Sequence, residues 1–159
     1  MTAVHSVHID APVRKVFDFV KDPRNWGAQP GTARGPVPAV TITRAYLTEE
    51  GSGSYYTYVW RVAGIPVEGF GVNIEVVPGE QFTHLESLAL LGTVTYRFEP
   101  EGTGTRLTLE RQPRSIWRLP VLGTVVDLFW LRIIGAATAE WKERLEQHQP
   151  TPIRTPVHA

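Results

Sequence analysis

Three polar side chains stand where they could do acid–base chemistry in apolar surroundings, and Glu68 is the first. It shares its strand phase with Phe70 and Val72, so the alternation predicts that its carboxylate faces inward. A carboxylate without a partner in an apolar cavity is costly to ionise and can serve as an acid or a base. The alternative is that Glu68 lies at the end of its strand, next to Pro66, and reaches water.

Asp127 is the second of these side chains. It lies near the edge of an apolar helical stripe, one turn before Trp130. Three placements follow from the pattern: Asp127 faces the cavity, borders solvent, or pairs with a basic residue such as Arg132. A separation of five residues is not that of a helical ion pair.

His84 is the third, and it shares a strand face with Phe82 and Glu86. A histidine beside a carboxylate can shuttle protons or can be purely structural. The pattern does not determine which face of residues 81–87, or of residues 40–47, is inward. If the protein is an enzyme, its catalytic residues are predicted to be Glu68, Asp127 and His84.

Metal and cofactor chemistry has little support in the sequence. His5 and His8 are three apart on a predicted strand, so they point to opposite faces and cannot share an ion. The chain has no cysteine, which excludes disulfides, zinc–thiolate sites, iron–sulfur clusters and thiol nucleophiles. No glycine pair has the third glycine and strand-to-helix context of a phosphate loop. We therefore expect no metal and no cofactor.

Aromatic residues cluster on the faces predicted to be inward. Large rings pack with irregular gaps between them, and tyrosine hydroxyls among them supply the few polar groups that small-molecule pockets use. We predict that the following residues bind a ligand: Tyr56, Tyr58, Trp60, Glu68, Phe70, Val72, Tyr96, Phe98, Phe129, Trp130, Ile133 and Ile134.

Composition narrows the class of protein further. The 159 residues carry 16 Lys+Arg against 16 Asp+Glu, and this balance argues against nucleic acid or anionic lipid as the main partner. The most apolar stretch, residues 119–139, contains Asp127 and Arg132, so we interpret it as a buried helix and not as a membrane span. The chain start has no basic residue followed by an apolar block. We expect a cytoplasmic protein.

The order of predicted elements is a strand, two short helices, six strands and one long helix. Clustered strands with short turns, followed by a helix, are typical of an α+β fold with an antiparallel sheet. Asp10 is predicted as the N-cap of the first helix, and Asp22-Pro23 begins the second. The strands are predicted at 2–9, 40–47, 54–63, 67–77, 81–87, 93–99 and 105–111, and the long helix at 120–147. We expect one domain over residues 1–147 and a disordered tail over 148–159.

Two loops are expected to border the cavity entrance. Residues 26–38 are rich in Gly and Pro, and residues 88–92 form a hairpin tip with four apolar side chains. The tip either contacts a ligand, partner or lipid surface, or tucks onto the helix start at Leu119 to Leu122.

Several motifs carry a family resemblance over residues 2–147. They are the opening VHIDAP at 7–12, VFDFV at 16–20, Asp22-Pro23, Trp26, EVVPGEQF at 75–82, GTRLT at 104–108 and WKERLE at 141–146. The chain thereby resembles the START-like helix-grip (SRPBCC) superfamily, specifically its polyketide cyclase/dehydrase-like members. The resemblance implies a curved seven-strand antiparallel sheet wrapped on a long C-terminal helix, with an apolar cavity between them. It implies no catalytic residue set.

Three functions remain open at this point. The first is a protein that binds a lipid, polyketide or aromatic metabolite, with Tyr58, Glu68, Tyr96 and Asp127 orienting the polar end. The second is a cyclase/dehydratase-type enzyme that uses a cavity carboxylate as acid or base. The third is a protein-interaction module that uses the 88–91 tip and the apolar helix start, and the same apolar surface leaves a homodimer open.

Overall fold

The predicted element order is confirmed by a computed structural model, which describes residues 3–26, 40–62, 65–87, 92–112 and 120–147. Element ends differ from the predicted ones by at most two residues. The strands are β1 Ala3–Ile9, β2 Val40–Tyr46, β3 Tyr55–Val62, β4 Ile65–Val77, β5 Gln81–Glu86, β6 Thr93–Glu101 and β7 Gly104–Gln112. The helices are α1 Val13–Lys21, a single 3-10 turn Pro23–Asn25 and α2 Pro120–Gln147.

The seven strands form one curved antiparallel sheet in the order β1-β7-β6-β5-β4-β3-β2. Strands β2 to β7 form a meander, and β1, the first strand of the chain, lies at the far edge of the sheet beside β7. The chain from β1 to β2 must therefore cross the sheet. Helix α1, on this crossing, packs against β6 and β7, while α2 packs along β1.

The core lies on the concave side, between the sheet and the helices. The rings of Phe17, Phe82 and Phe98 meet there, with Phe17 edge-on to the other two at centroid distances of 6.2 and 5.2 Å. The predicted inner faces of β3 and β6 are confirmed, since the following residues are at most 4% exposed: Tyr56, Tyr58, Val94, Tyr96 and Phe98. The side chains of Trp60 and Val62 lie outside the described part of the structure.

The predicted inner face of β4 is wrong. Phe70 and Ile74 are 44% and 51% exposed, Glu68 is exposed, and Asn73 is buried instead. A bulge between Asn73 and Glu75 shifts the register, so Val76 packs against the core although Ile74 does not. The inward orientation predicted for Glu68, Phe70 and Val72 therefore does not hold.

Glycines explain why the alternation in β4 misleads. A Cβ at Gly69 would lie 2.5 Å from Cζ of Tyr58, and a Cβ at Gly71 would lie 2.3 Å from Cζ of Tyr56. The two tyrosine rings lie across β4 in the space that side chains would fill. At Gly69 and Gly71 the inner face of β4 is thus covered by the tyrosine rings of β3 and not by side chains of β4 itself.

The start of α1 also differs from the prediction. Pro12, not Asp10, is the N-cap residue, and no side chain caps the helix. The Asp10 carboxylate accepts a hydrogen bond from Thr103 Oγ1 at 3.1 Å, and its backbone N–H donates to Glu146 Oε1 at 2.8 Å. The second short helix begins at Asp22-Pro23 as predicted, as a 3-10 turn that Asp22 caps by accepting from the Arg24 N–H at 3.0 Å.

Helix α2 has the predicted buried stripe. Its members are Trp130, Ile134, Trp141 and Leu145, with Ala137 packed against the core. Phe129 is 42% exposed, beside Val125 and Leu128, which are about 60% exposed. The predicted contact of this surface with another molecule, or a homodimer, stays a prediction.

Among the described residues, no helix combines the length and apolarity needed to cross a bilayer. Three other predicted segments lie outside the described residues: most of the 26–38 loop, the 88–91 tip and the 148–159 tail. The side chains of residues 120–122, onto which the tip would tuck, are also outside the described part.

Gly71→Ala tests the close packing of Tyr56 on β4. The added methyl must displace the ring, so we expect a loss of about 1–3 kcal/mol in the free energy of unfolding. Denaturant unfolding measures this. Gly135→Ala is the matched control, since its Cβ meets nothing nearer than His5 Cε1 at 3.8 Å and helix propensity favours alanine. Equal stability of Gly71→Ala and the wild type would show that the ring does not lie there.

Candidate functional site

A pocket of about 90 Å³ lies between the concave face of the sheet and α2. Its walls are mostly apolar and aromatic, with one carboxylate and one imidazole among them. The lining residues are Trp26, Ile42, Tyr56, Tyr58, His84, Glu86, Val94, Tyr96, Trp130, Ile133, Ile134, Ala137 and Trp141. A mostly apolar concavity with a few converging polar groups is the usual form of a small-molecule site.

Strand register brings the polar groups together. Tyr56 pairs with Gly71, which in turn pairs with Glu86, so these three residues form a row across β3, β4 and β5. Because the middle position is glycine, the Tyr56 hydroxyl reaches across β4 and donates to Glu86 Oε1 at 3.0 Å. Tyr58, which lies over Gly69, donates to Glu86 Oε2 at 2.5 Å. Glycine at both positions is what lets two phenols reach one carboxylate.

His84 supplies a third contact to the same carboxylate. His84 and Glu86 are two apart on β5, so both point inward, and His84 Nε2 lies 3.0 Å from Glu86 Oε1. The imidazole is 2% exposed, and its other nitrogen, Nδ1, is buried with no hydrogen-bond partner among the described residues. Both carboxylate oxygens of Glu86 thus have hydrogen-bond partners, whereas Nδ1 of His84 has none among the described residues.

Hydrogen bonding determines the charge of this cluster. Burial raises the pKa of Glu86, but the hydrogen bond and the positive charge of His84, together with hydrogen bonds from Tyr58 and Tyr56, outweigh it and hold the pKa below the ordinary 4.5. Burial, with the adjacent Glu86 charge, raises the pKa of Tyr56 and of Tyr96 well above 10. At neutral pH the pocket therefore holds one carboxylate and neutral phenols.

Trp26 forms part of the wall opposite β5. Its ring centroid lies 5.2 Å from those of Tyr56 and His84, and it stacks on Tyr96 at 5.9 Å. The indole N–H donates to the Val20 carbonyl at 2.6 Å, which ties the ring to the end of α1. The 3-10 turn that begins at Asp22-Pro23 thus places an aromatic ring in the pocket.

The structure brings some of the predicted site residues together and separates others. Seven line the pocket: Tyr56, Tyr58, His84, Tyr96, Trp130, Ile133 and Ile134. Glu68, Phe70, Val72, Phe98, Phe129 and Asp127 are not among the lining residues, and the side chain of Trp60 is outside the described part. Phe98 instead packs in the core beside Phe17. The roles assigned to all of these residues stay predictions.

Asp127 forms an ion pair with Arg111, a basic residue on β7 and not the Arg132 considered from the sequence. The Arg111 side chain is completely buried, and burial lowers the pKa of its guanidinium although Asp127 opposes this. A buried guanidinium needs such a partner. The contact makes Asp127 part of the packing between α2 and the sheet.

Glu86 and Trp26 are the important lining residues that sequence reasoning did not identify as site residues. The alternation does not determine the phase of β5, although that of β6 predicts an inner face of Val94, Tyr96 and Phe98. In the structure Phe82 pairs with Tyr96 and His84 pairs with Val94, so the phase of β6 determines that of β5. Pairing the two strands across their hairpin would have placed Glu86 inward.

His5 and His8 point to opposite faces of β1 as predicted. His5 Nε2 contacts Thr138 Oγ1 at 2.9 Å on α2, and His8 Nδ1 contacts Glu101 Oε2 at 2.9 Å on the outer side. Over the described ranges, no three His, Asp or Glu side chains converge as metal ligands would.

Comparison with known proteins places this geometry among related sequences and folds. A family model described as polyketide cyclase/dehydrase and lipid transport matches residues 1–146. A search of curated proteins finds no match.

Solved structures share the whole fold at low sequence identity. Protein Ms6760 from Mycobacterium smegmatis is 20% identical, with a TM-score of 0.69 over 93% of this chain and 92% of that one. Protein NE0264 from Nitrosomonas europaea is 15% identical, with a TM-score of 0.68 over 94% and 96%. The Aha1 dimer from Colwellia psychrerythraea is 13% identical, with a TM-score of 0.60 over 94% and 99%. These likenesses show the START-like helix-grip fold.

Glu86→Gln tests the charge of the buried cluster. Because the folded-state pKa lies below 4.5, ionised Glu86 stabilises the fold above that pH, and this contribution is lost as the pH falls through the folded-state pKa. We expect Glu86→Gln to lose about 1–3 kcal/mol at pH 7 and to show a shallower acid dependence than the wild type. Denaturant unfolding at a series of pH values measures both.

Glu68→Gln is the control for this comparison, because Glu68 is exposed and lies outside the pocket. It should change stability at pH 7 by no more than about 0.5 kcal/mol. A Glu86→Gln protein with wild-type stability and an unchanged acid dependence would show that the carboxylate is not held as described.

Proposed function

The chain belongs to the polyketide cyclase/dehydrase and lipid transport family, and we propose that it binds a small hydrophobic molecule in the pocket between the sheet and α2. The ligand class is a lipid, polyketide or aromatic metabolite. The observation that carries the proposal is the pocket itself, which has aromatic walls and a single ionised carboxylate held by Tyr56, Tyr58 and His84.

The walls supply the affinity in this proposal. Transfer of apolar ligand surface from water contributes about 25 cal/mol per Å². The aromatic side chains Trp26, Trp130 and Trp141 lie around the pocket and offer flat surfaces to a ring. These rings are packed against one another and against the core.

The polar cluster supplies the orientation. Tyr58 and Tyr96 were expected to hold the polar end of the ligand, and both line the pocket. Glu86 and His84 take the place that the sequence assigned to Glu68 and Asp127. A ligand with one polar end would direct it toward this cluster, because every other wall is apolar.

An acid–base enzyme of the cyclase/dehydratase kind is the second candidate. The observation that favours it is a histidine hydrogen-bonded to a carboxylate in an apolar pocket, 3.0 Å apart. Such a pair can accept a proton from a bound substrate and return it. Glu86 would then orient the imidazole, and His84 would meet the substrate.

Ligand binding is tested by titrating the wild-type protein with fatty acids and polycyclic aromatic compounds while tryptophan fluorescence is recorded. Native mass spectrometry of freshly purified protein provides a second readout through any co-purified ligand. We expect saturable quenching with at least one class. Silence across the panel, with no co-purified mass, would contradict the proposal.

Two alanines on α2 offer matched variants for locating the site. Ala137 lines the pocket, whereas Ala139 is exposed. Ala137→Leu fills part of the pocket and should weaken binding at least about tenfold, a change of about 1.4 kcal/mol. Ala139→Leu should bind as the wild type does. Equal affinities of the two variants would place the ligand elsewhere.

The enzymatic candidate predicts a different pattern. If the wild type converts a poly-β-keto thioester, Glu86→Gln and His84→Phe should abolish conversion and keep ligand affinity within about tenfold. Product analysis by mass spectrometry checks this. Conversion that survives both substitutions would exclude the pair as the acid–base group.

A further inference from the structure

We infer that the pocket selects ligands that carry an aromatic or enolic hydroxyl, and that this hydroxyl donates a hydrogen bond to Nδ1 of His84. The inference rests on the proposed function and names the ligand chemistry for the same pocket. Its starting point is the one atom of the polar cluster that the described protein leaves unsatisfied.

Hydrogen-bond roles around Glu86 determine which nitrogen of His84 carries hydrogen. An ionised carboxylate only accepts, so the nitrogen 3.0 Å from Glu86 Oε1, Nε2, must be the donor. Tyr56 and Tyr58 donate to the same carboxylate and keep it ionised. In the neutral imidazole the other nitrogen, Nδ1, then presents a lone pair. This is how a carboxylate commonly orients a histidine for a third group.

The surroundings of Nδ1 favour a lone pair over an N–H. Nδ1 is buried without a partner, and an unpaired charged donor costs more free energy there than an unpaired neutral acceptor. Asn73 faces His84 across the β4–β5 ladder, and its Oδ1 is also buried without a partner. Neither atom satisfies the other in the structure.

A ligand hydroxyl is the group that completes this arrangement. His84 lines the pocket, so a bound molecule can approach its ring. The rings of Trp26 and Tyr96 lie 5.2 Å from the imidazole centroid, each tilted by 41°. Flat neighbouring rings favour a planar ligand, and the hydroxyl of a phenol or enol is a stronger donor than that of an aliphatic alcohol. The other ionisable groups that line the pocket are Glu86, Tyr56, Tyr58 and Tyr96.

Matched pairs of probes test the inference on the full chain. The pairs are p-cresol against toluene and 2-naphthol against naphthalene, with affinities measured by isothermal titration calorimetry. A plain apolar pocket would prefer the hydrocarbon, because the hydroxyl must be desolvated. We expect the hydroxylated member of at least one pair to bind about tenfold more tightly or better.

Variants assign this preference to His84. His84→Phe keeps a ring and removes the acceptor, so it should bind the hydrocarbon at least as well as the phenol. His8→Phe is the control, because His8 lies on the outer side of β1, and it should keep the wild-type preference. Equal affinities within both pairs for the wild type would overturn the inference and leave the proposed function standing. Failure of all four compounds to bind would contradict both.

Nitrogen-15 NMR of the imidazoles provides a readout that a purely structural histidine would not change. In the ligand-free protein we expect Nε2 of His84 to be protonated and Nδ1 to be unprotonated at pH 7. Addition of p-cresol or 2-naphthol should shift the Nδ1 resonance, whereas toluene and naphthalene should not. Protonation of both nitrogens in the ligand-free protein would overturn the inference, because Nδ1 would then be a donor.

Discussion

The hydrogen bonding of the Glu86 carboxylate is the constraint on which the rest of the site depends. A carboxylate buried this deeply is tolerable only when several donors surround it. Tyr56 and Tyr58 come from β3 and His84 from β5, so β4 must pass beneath two phenol rings. That requirement accounts for Gly69 and Gly71, and with them for the outward orientation of Glu68 and Phe70. One buried charge thus determines the inner surface of three strands.

The same cluster joins the fold to its function. Helix α2 and the 3-10 turn after α1 cover the concave side, and they leave a pocket whose ionisable side chains all lie on β3, β5 and β6. An apolar pocket alone would bind a ligand in proportion to the apolar surface that the ligand buries, and it would not fix the orientation of the ligand. The carboxylate, its phenols and the imidazole give it one polar end. The family description and this geometry both support the proposed hydrophobic ligand, and in that proposal its polar group is directed to this end of the pocket.

The architecture could be predicted from the sequence because it rests on local signals. Turn residues, strand alternation and the stripe Trp130, Ile134, Trp141 and Leu145 determine the element order and the buried side of α2. The site depends on relations between strands, which a single sequence does not display. Glycine counts as neither apolar nor polar in an alternation pattern. The pattern therefore takes the face of β4 that carries Gly69 and Gly71 as the outer one, although it is the inner one. Predicting that Glu86 faces inward requires the pairing of β5 with β6. Predicting the Asp127–Arg111 contact requires the packing of α2 on the sheet.

A titration of the Glu86 side-chain carboxyl carbon by NMR tests the central claim most directly. If two phenols and an imidazole hold the carboxylate, its resonance should stay that of the ionised form until the pH falls below 4.5. Replacement of Tyr58 by Phe should then move the midpoint upward, since one donor is lost. A midpoint at or above 4.5 in the wild type, unchanged by that replacement, would contradict the account.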